Sequence, residues 1–85
     1  MKYRVTVTLT AQKEIMKKTD KGIVDRLDKK IMKLSIEPHT YGKPLRRPLE
    51  GIWEFRFEKR WRVLYTIDEI AKTVTIIGIK HKDEF

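Results

Sequence analysis

The sequence predicts one α+β domain spanning residues 1–85, ordered β-α-α-β-β-β, with an antiparallel sheet packed against two helices. Three observations carry this. The first nine residues and the stretch after residue 51 alternate apolar and polar side chains, the rhythm of half-buried strands. Between them, apolar residues recur at helical spacing. No repeat, linker or low-complexity tract interrupts the 85 residues, a length with room for one core.

The elements follow in order. Tyr3, Val5, Val7 and Leu9 share one face of the first strand, and Arg4, Thr6 and Thr8 share the other. Thr10 is the expected cap of a short helix that buries Ala11 and Ile15 and runs to Lys18. Asp20 is expected to cap a longer helix from Lys21 to about Ile36, with the apolar stripe Ile23, Val24, Leu27, Ile31 and Leu34. Arg26, Lys29, Lys30 and Lys33 fill its polar side, and Asp25 stands four residues before Lys29 as a supporting pair. Glu37-Pro38 ends the helix, because the residue before proline is pushed out of the helical region. A basic loop rich in proline and glycine follows, containing Lys43, Arg46 and Arg47. Three strands are then expected, Ile52 to Phe57, Trp61 to Ile67 and Thr73 to Lys80, joined by short polar turns. The rows Trp53, Phe55, Phe57 and Trp61, Val63, Tyr65, Ile67 should face the helices, leaving Glu54, Arg56, Arg62 and Thr66 on the less covered side.

Composition narrows the function. Twenty Lys and Arg against twelve Asp and Glu give a net charge of +8, which suits a phosphate-rich partner or an acidic protein. With 40% hydrophobic residues, the 38% charged content reads as a decorated surface over a core, not as disorder. The absence of cysteine excludes a disulfide framework, a thiolate zinc site and a cysteine nucleophile, and two histidines are too few for a typical zinc site. No metal and no cofactor are expected. The longest apolar run, Ile76-Ile77-Gly78-Ile79, is far too short to span a membrane, and the chain starts on a strand pattern with no signal-peptide character. The expectation is a cytoplasmic protein with no membrane partner. Ser35 lacks the glycine-flanked elbow of a serine hydrolase, and the four glycines are too scattered for a phosphate loop. His39, in the proline-rich loop, reads as structural or solvated.

The chemistry concentrates in the hairpin. Arg56 and Arg62 leave adjacent strands on the same open face, separated by a turn of three residues, Glu58-Lys59-Arg60. Two guanidiniums so placed repel unless Glu54 or an external anion lies between them, and arginine grips phosphate in a bidentate fork. The plainer reading is a solvated cross-strand charge network of Glu54, Arg56 and Arg62. Lys80, His81 and Lys82 end the last strand, and His81 is the group there that titrates near neutrality.

The segments GIWEFRF, WRVLY and IIGIKHKDEF, in this order of elements, resemble the RelE/ParE superfamily of bacterial and archaeal toxins along the whole chain. The loop YGKPLRRPLEGIW is similar to that of YoeB-type members. The resemblance implies a RelE-like fold and the toxin of a toxin-antitoxin pair, a ribosome-dependent endoribonuclease that cuts messenger RNA and is silenced by a cognate acidic antitoxin. The implied partners are that antitoxin, the ribosome and mRNA. Residue by residue, Arg62 matches the family's arginine after the hairpin turn, Arg56 a basic residue on the preceding strand, and Lys82 a position where the family places Arg or His. His81 takes that role if the register shifts by one. Metal-free attack of a ribose 2′-hydroxyl on its own phosphate needs cations, a base and an acid: Arg62 and Arg56 are expected to supply the charge stabilisation, Glu54, placed between two arginines, the base, and His81 or Lys82 the acid. Lys43, Arg46 and Arg47 in the loop and Arg26, Lys29, Lys30 and Lys33 on the helix are the expected RNA-binding set. Departures are present: Glu54 stands where RelE-type members carry Lys, the loop lacks the YoeB-type glutamate, and Phe85 ends the chain where RelE-type members have Tyr. They keep two alternatives open, a ParE-like toxin that inhibits DNA gyrase without cutting RNA and a catalytically decayed RNA-binding module.

Overall fold

The computed structural model describes residues 2–46, 49–81 and 83. Strand β1 (Arg4–Val7) leads into helices α1 (Leu9–Lys18) and α2 (Lys21–Ile36). A two-residue strand β2 (Lys43–Pro44) precedes β3 (Trp53–Phe57), β4 (Trp61–Asp68) and β5 (Thr73–His81). The five strands form one sheet in the order β1-β5-β4-β3-β2. Strands β3 to β5 pair antiparallel, as expected, whereas Lys43–Pro44, expected within a loop, adds β2 antiparallel to β3, and β1 joins the far edge parallel to β5, making the sheet mixed.

Helix α1 starts earlier than the expected Thr10 cap. Thr8 holds an extended backbone, and its Oγ1 accepts the Ala11 N–H at 3.1 Å. The cap follows directly from the end of β1, so the chain turns into α1 with Ala11 already in the core. Asp20 caps α2 as the sequence indicates, accepting the Ile23 N–H at 2.9 Å. Leu27 and Leu34 bury fully against Phe55, Phe57, Val63 and Tyr65 from the sheet, while Ile23, Val24 and Ile31 pack at the margin. Strand β1 pairs only with Thr73 to Ile76, which leaves the later half of β5 an open edge on that side. Helix α1 packs there, and Lys18 Nζ donates to the Ile79 carbonyl at 3.4 Å.

One irregularity decides which residues of β5 face which way. Leu64 pairs with Gly78 and Tyr65 with Ile76, so Ile77 is an extra residue in the ladder. Such a bulge moves the following side chains to the other face. Val74 and Ile76 before it, and Ile79 after it, therefore all reach the core.

The loop between α2 and β3 is tied down by Tyr65, whose buried hydroxyl donates to the Pro38 carbonyl at 2.6 Å. Burial pushes the phenol pKa up to about 12, so the donor keeps its proton. His39 packs edge-on between Tyr3 and Trp53, and its Nε2 lies 2.7 Å from Glu69 Oε1. It is packed on one side and solvated on the other, within the structural-or-solvated reading of the sequence. The Tyr3 hydroxyl, first, and His39 hold the Glu69 carboxylate below its usual range.

Gly42 is where the loop passes closest to the sheet. A Cβ at this position would lie 2.0 Å from the Tyr65 hydroxyl and 2.7 Å from the Glu54 carbonyl oxygen. Gly42→Ala is therefore expected to lower stability by about 1–3 kcal/mol, the usual cost of overpacking. Chemical denaturation reads this directly, and unchanged stability would mean that the loop yields freely.

Candidate nucleic-acid interface

Strand pairing builds the site. Arg56 lies directly opposite Arg62 across the β3–β4 ladder, and Arg62 lies opposite Lys80 across β4–β5. Three cations thus form one row on the face away from the helices. Lys80 is turned into this row by the bulge at Ile77, a feature that regular alternation along β5 does not contain. Glu14 of α1 closes the far end, with Oε2 at 3.4 Å from both Lys80 Nζ and Lys18 Nζ. Its approach needs a small residue: a Cβ on Gly78 would stand 3.0 Å from Glu14 Oε1.

Glu54 sits in the adjacent row, opposite Lys43 on β2 and Leu64 on β4. Its Oε1 accepts from Arg62 Nη1 at 2.9 Å. The expectation placed this carboxylate on an open face, but the residue is only 3% exposed. Its Oε2 is enclosed and has no hydrogen-bond partner among the described residues. The β2 segment pairs along the edge of β3 and sets Lys43 opposite this position. A carboxylate so enclosed serves as the counter-ion of Arg62, and its burial departs from the less covered face expected for it.

His81 stands apart from the arginine row. The bulge puts it opposite Trp61, and its ring meets the indole edge-on with centroids 5.1 Å apart. It stands in the Trp61 row, not in the Arg56–Arg62–Lys80 row. Lys82 and Arg47 lie outside the described residues.

Two hollows flank the arginines. One is lined by Tyr41, Gly42, Lys43, Glu54, Phe55 and Arg56, so Lys43 lies beside the row. The other is lined by Arg56, Lys59, Trp61 and Arg62. Arg46 is exposed in the loop and lines neither.

The helical cations divide into two kinds. Arg26 forks onto Glu58 in the β3–β4 turn, with Nη2 to Oε1 at 3.1 Å and Nε to Oε2 as the second contact. That hydrogen bonding holds the Glu58 carboxylate below its usual range, and it commits Arg26 to fixing the turn. Lys29, Lys30 and Lys33 line a surface hollow beside Phe57. Lys33 Nζ also stands 5.8 Å from the centre of the Tyr41 ring.

With this geometry in place, comparison with known proteins decides the family. The family model of the ParE toxin of type II toxin-antitoxin systems matches residues 5–84. The chain belongs to the RelE/ParE toxin superfamily. It is 35% identical over 82 residues to toxin RelG of Mycobacterium tuberculosis, covering 96% of this chain and 93% of that relative. The toxin–antitoxin complex RelBE2 from the same organism contains a chain 34% identical to this one, with a TM-score of 0.84, covering 96% of this chain and 100% of that one. A YoeB/ParE toxin from Agrobacterium tumefaciens shares the fold with a TM-score of 0.77 at 19% identity, over 92% of this chain and 96% of that one. The chain is thus a RelE-family toxin of a toxin–antitoxin system. Among its described residues, no helix is long and apolar enough to cross a membrane.

Proposed function

We propose that this toxin is a ribosome-dependent endoribonuclease acting on messenger RNA. What supports the reading is the Arg56–Arg62 pair, two cations set face to face on an open strand surface with Lys80 next in line. In the proposed reaction the ribose 2′-oxygen loses its proton and attacks the adjacent phosphorus. The bond to the 5′-oxygen of the next nucleotide breaks, leaving a cyclic phosphate and a 5′-hydroxyl. Charge builds on the phosphoryl oxygens at the transition state, and preorganised guanidiniums stabilise it without reorganising. Arg62, held by Glu54 from below, is the primary phosphate grip. Arg56 and Lys80 flank it. An acidic antitoxin segment is the partner proposed for the same face, since opposite charge speeds and orients association.

The deciding experiment incubates the purified protein with intact ribosomes and a messenger and maps the cuts. Cleavage that depends on ribosomes is expected. The match to the ParE model and the enclosed Glu54 favour one competing reading, inhibition of DNA gyrase without RNA chemistry. An uncut messenger together with blocked supercoiling would establish that reading instead.

The lysines of α2 are proposed as a ribosomal RNA docking surface. Replacing Lys29, Lys30 and Lys33 together by Gln, with Arg26 left to hold the turn, is expected to weaken ribosome binding uniformly across messengers. The logarithmic salt slope should flatten by ~0.7–0.9 for each phosphate that is no longer neutralised. The cleavage pattern should not change, because α2 lies on the opposite face of the sheet from the arginine row. Equal slopes for variant and wild type would leave these lysines merely solvated.

A further inference from the structure

The turn between β3 and β4 is built from residues poorly suited to it. Glu58 and Lys59 hold φ of 52° and 62°, the left-handed region that Gly and Asn occupy most readily. Each such residue costs on the order of 1 kcal/mol relative to Gly. Glu58 has a visible use, the fork from Arg26 that fastens the turn to α2. Lys59 has no such anchor among the described residues. It is exposed, and it lines a cavity of about 250 Å³ with Arg56, Trp61 and Arg62. Backbone strain of this kind persists where the surrounding fold imposes it, and it clusters at ligand-binding sites.

We propose that Lys59 and Arg56 form a nucleotide subsite next to Arg62, in which Lys59 binds the backbone phosphate adjacent to the one gripped by Arg62. The cavity has the chemistry for this. Three cations, Arg56, Lys59 and Arg62, line a space of single-nucleotide scale. The Glu58–Arg26 fork holds the turn on the domain, so the ammonium is delivered from a fixed point. The identity of the strand as RNA rests on the ribonuclease reading above. The geometry of the subsite does not.

The test exploits the backbone. Lys59→Gly relaxes a left-handed residue, so its melting temperature should equal or exceed that of the wild type, and any functional loss then belongs to the side chain. The probe is a short single-stranded RNA carrying a 2′-deoxy linkage, which binds but cannot be cut, titrated against the full chain over a range of salt concentrations. Lys59→Gly should weaken binding several-fold and flatten the logarithmic salt slope by ~0.7, the value for one phosphate of a single strand. Lys59→Arg should restore the slope. An unchanged slope in Lys59→Gly, a lowered melting temperature, or no binding of the probe by wild type would each overturn the subsite. Failure of the ribonuclease reading looks different: the probe binds with the expected Lys59 dependence, yet ribosome-bound messenger is not cut.

Discussion

Arg62→Ala is expected to reduce messenger cleavage by ~10²–10³, the typical cost of removing one donor that stabilises transition-state charge. The structure attaches a second consequence that strand alternation does not reveal. Arg62 is not a freely exposed guanidinium: its side chain is 28% exposed and is hydrogen-bonded to a carboxylate that is almost wholly enclosed. Truncating it leaves the Glu54 charge buried with Oε1 newly unpaired beside an Oε2 that already lacks a partner among the described residues. A stability loss of about 1–3 kcal/mol should accompany the loss of activity. The double variant Arg62→Ala/Glu54→Gln separates the two, because it removes the buried charge together with its partner. It should recover most of the stability and none of the cleavage. A single Arg62→Ala variant that cuts like the wild type would remove Arg62 from the site, and a double variant that regains activity would show the loss to be one of folding.

Glu54 carries the second large effect, and its two substitutions should behave differently. Glu54→Ala takes away the contact that orients Arg62, and cleavage should fall by a factor approaching that of Arg62→Ala. Glu54→Gln keeps an amide oxygen as acceptor for Arg62 Nη1, so cleavage should stay within about tenfold of wild type, with the acid side of the pH–rate profile unmoved. A general base gives the opposite result. Glutamine cannot take a proton, so Glu54→Gln would fall by the ~10²–10⁴ associated with acid–base catalysis, and the acid limb would vanish. The pH profile matters because a purely structural defect lowers the rate without removing a titration. Should Gln and Ala prove equally damaging and the limb disappear, Glu54 is the base after all.

Much of this molecule follows from local sequence. Alternation along residues 53–57 and 61–67 set the aromatic and apolar rows against the helices, and the same parity forced Arg56 and Arg62 onto the opposite face. The turn of only three residues then made them direct neighbours, since a hairpin that short leaves no freedom of register. Asp20 and Pro38 bracket α2 through chemistry confined to a few adjacent residues, a capping carboxylate and a missing donor. What escaped local reading depends on segments far apart in the chain. The bulge at Ile77 arises in the pairing of β5 with β4, and it alone sends Lys80 into the arginine row and His81 to Trp61. Glu54 is enclosed in the folded chain, beside a β2–β3 pairing of residues 43–44 with 53–54 of which the loop composition gives no sign. The left-handed Glu58 and Lys59 contradict residue preference, and the partner Glu58 meets, Arg26 on a helix, is a tertiary contact that local sequence does not show. Parity is written into each strand by its own residues, whereas burial, register shifts and ion-pair partners are properties of the surfaces that meet, and those exist only once the chain has folded.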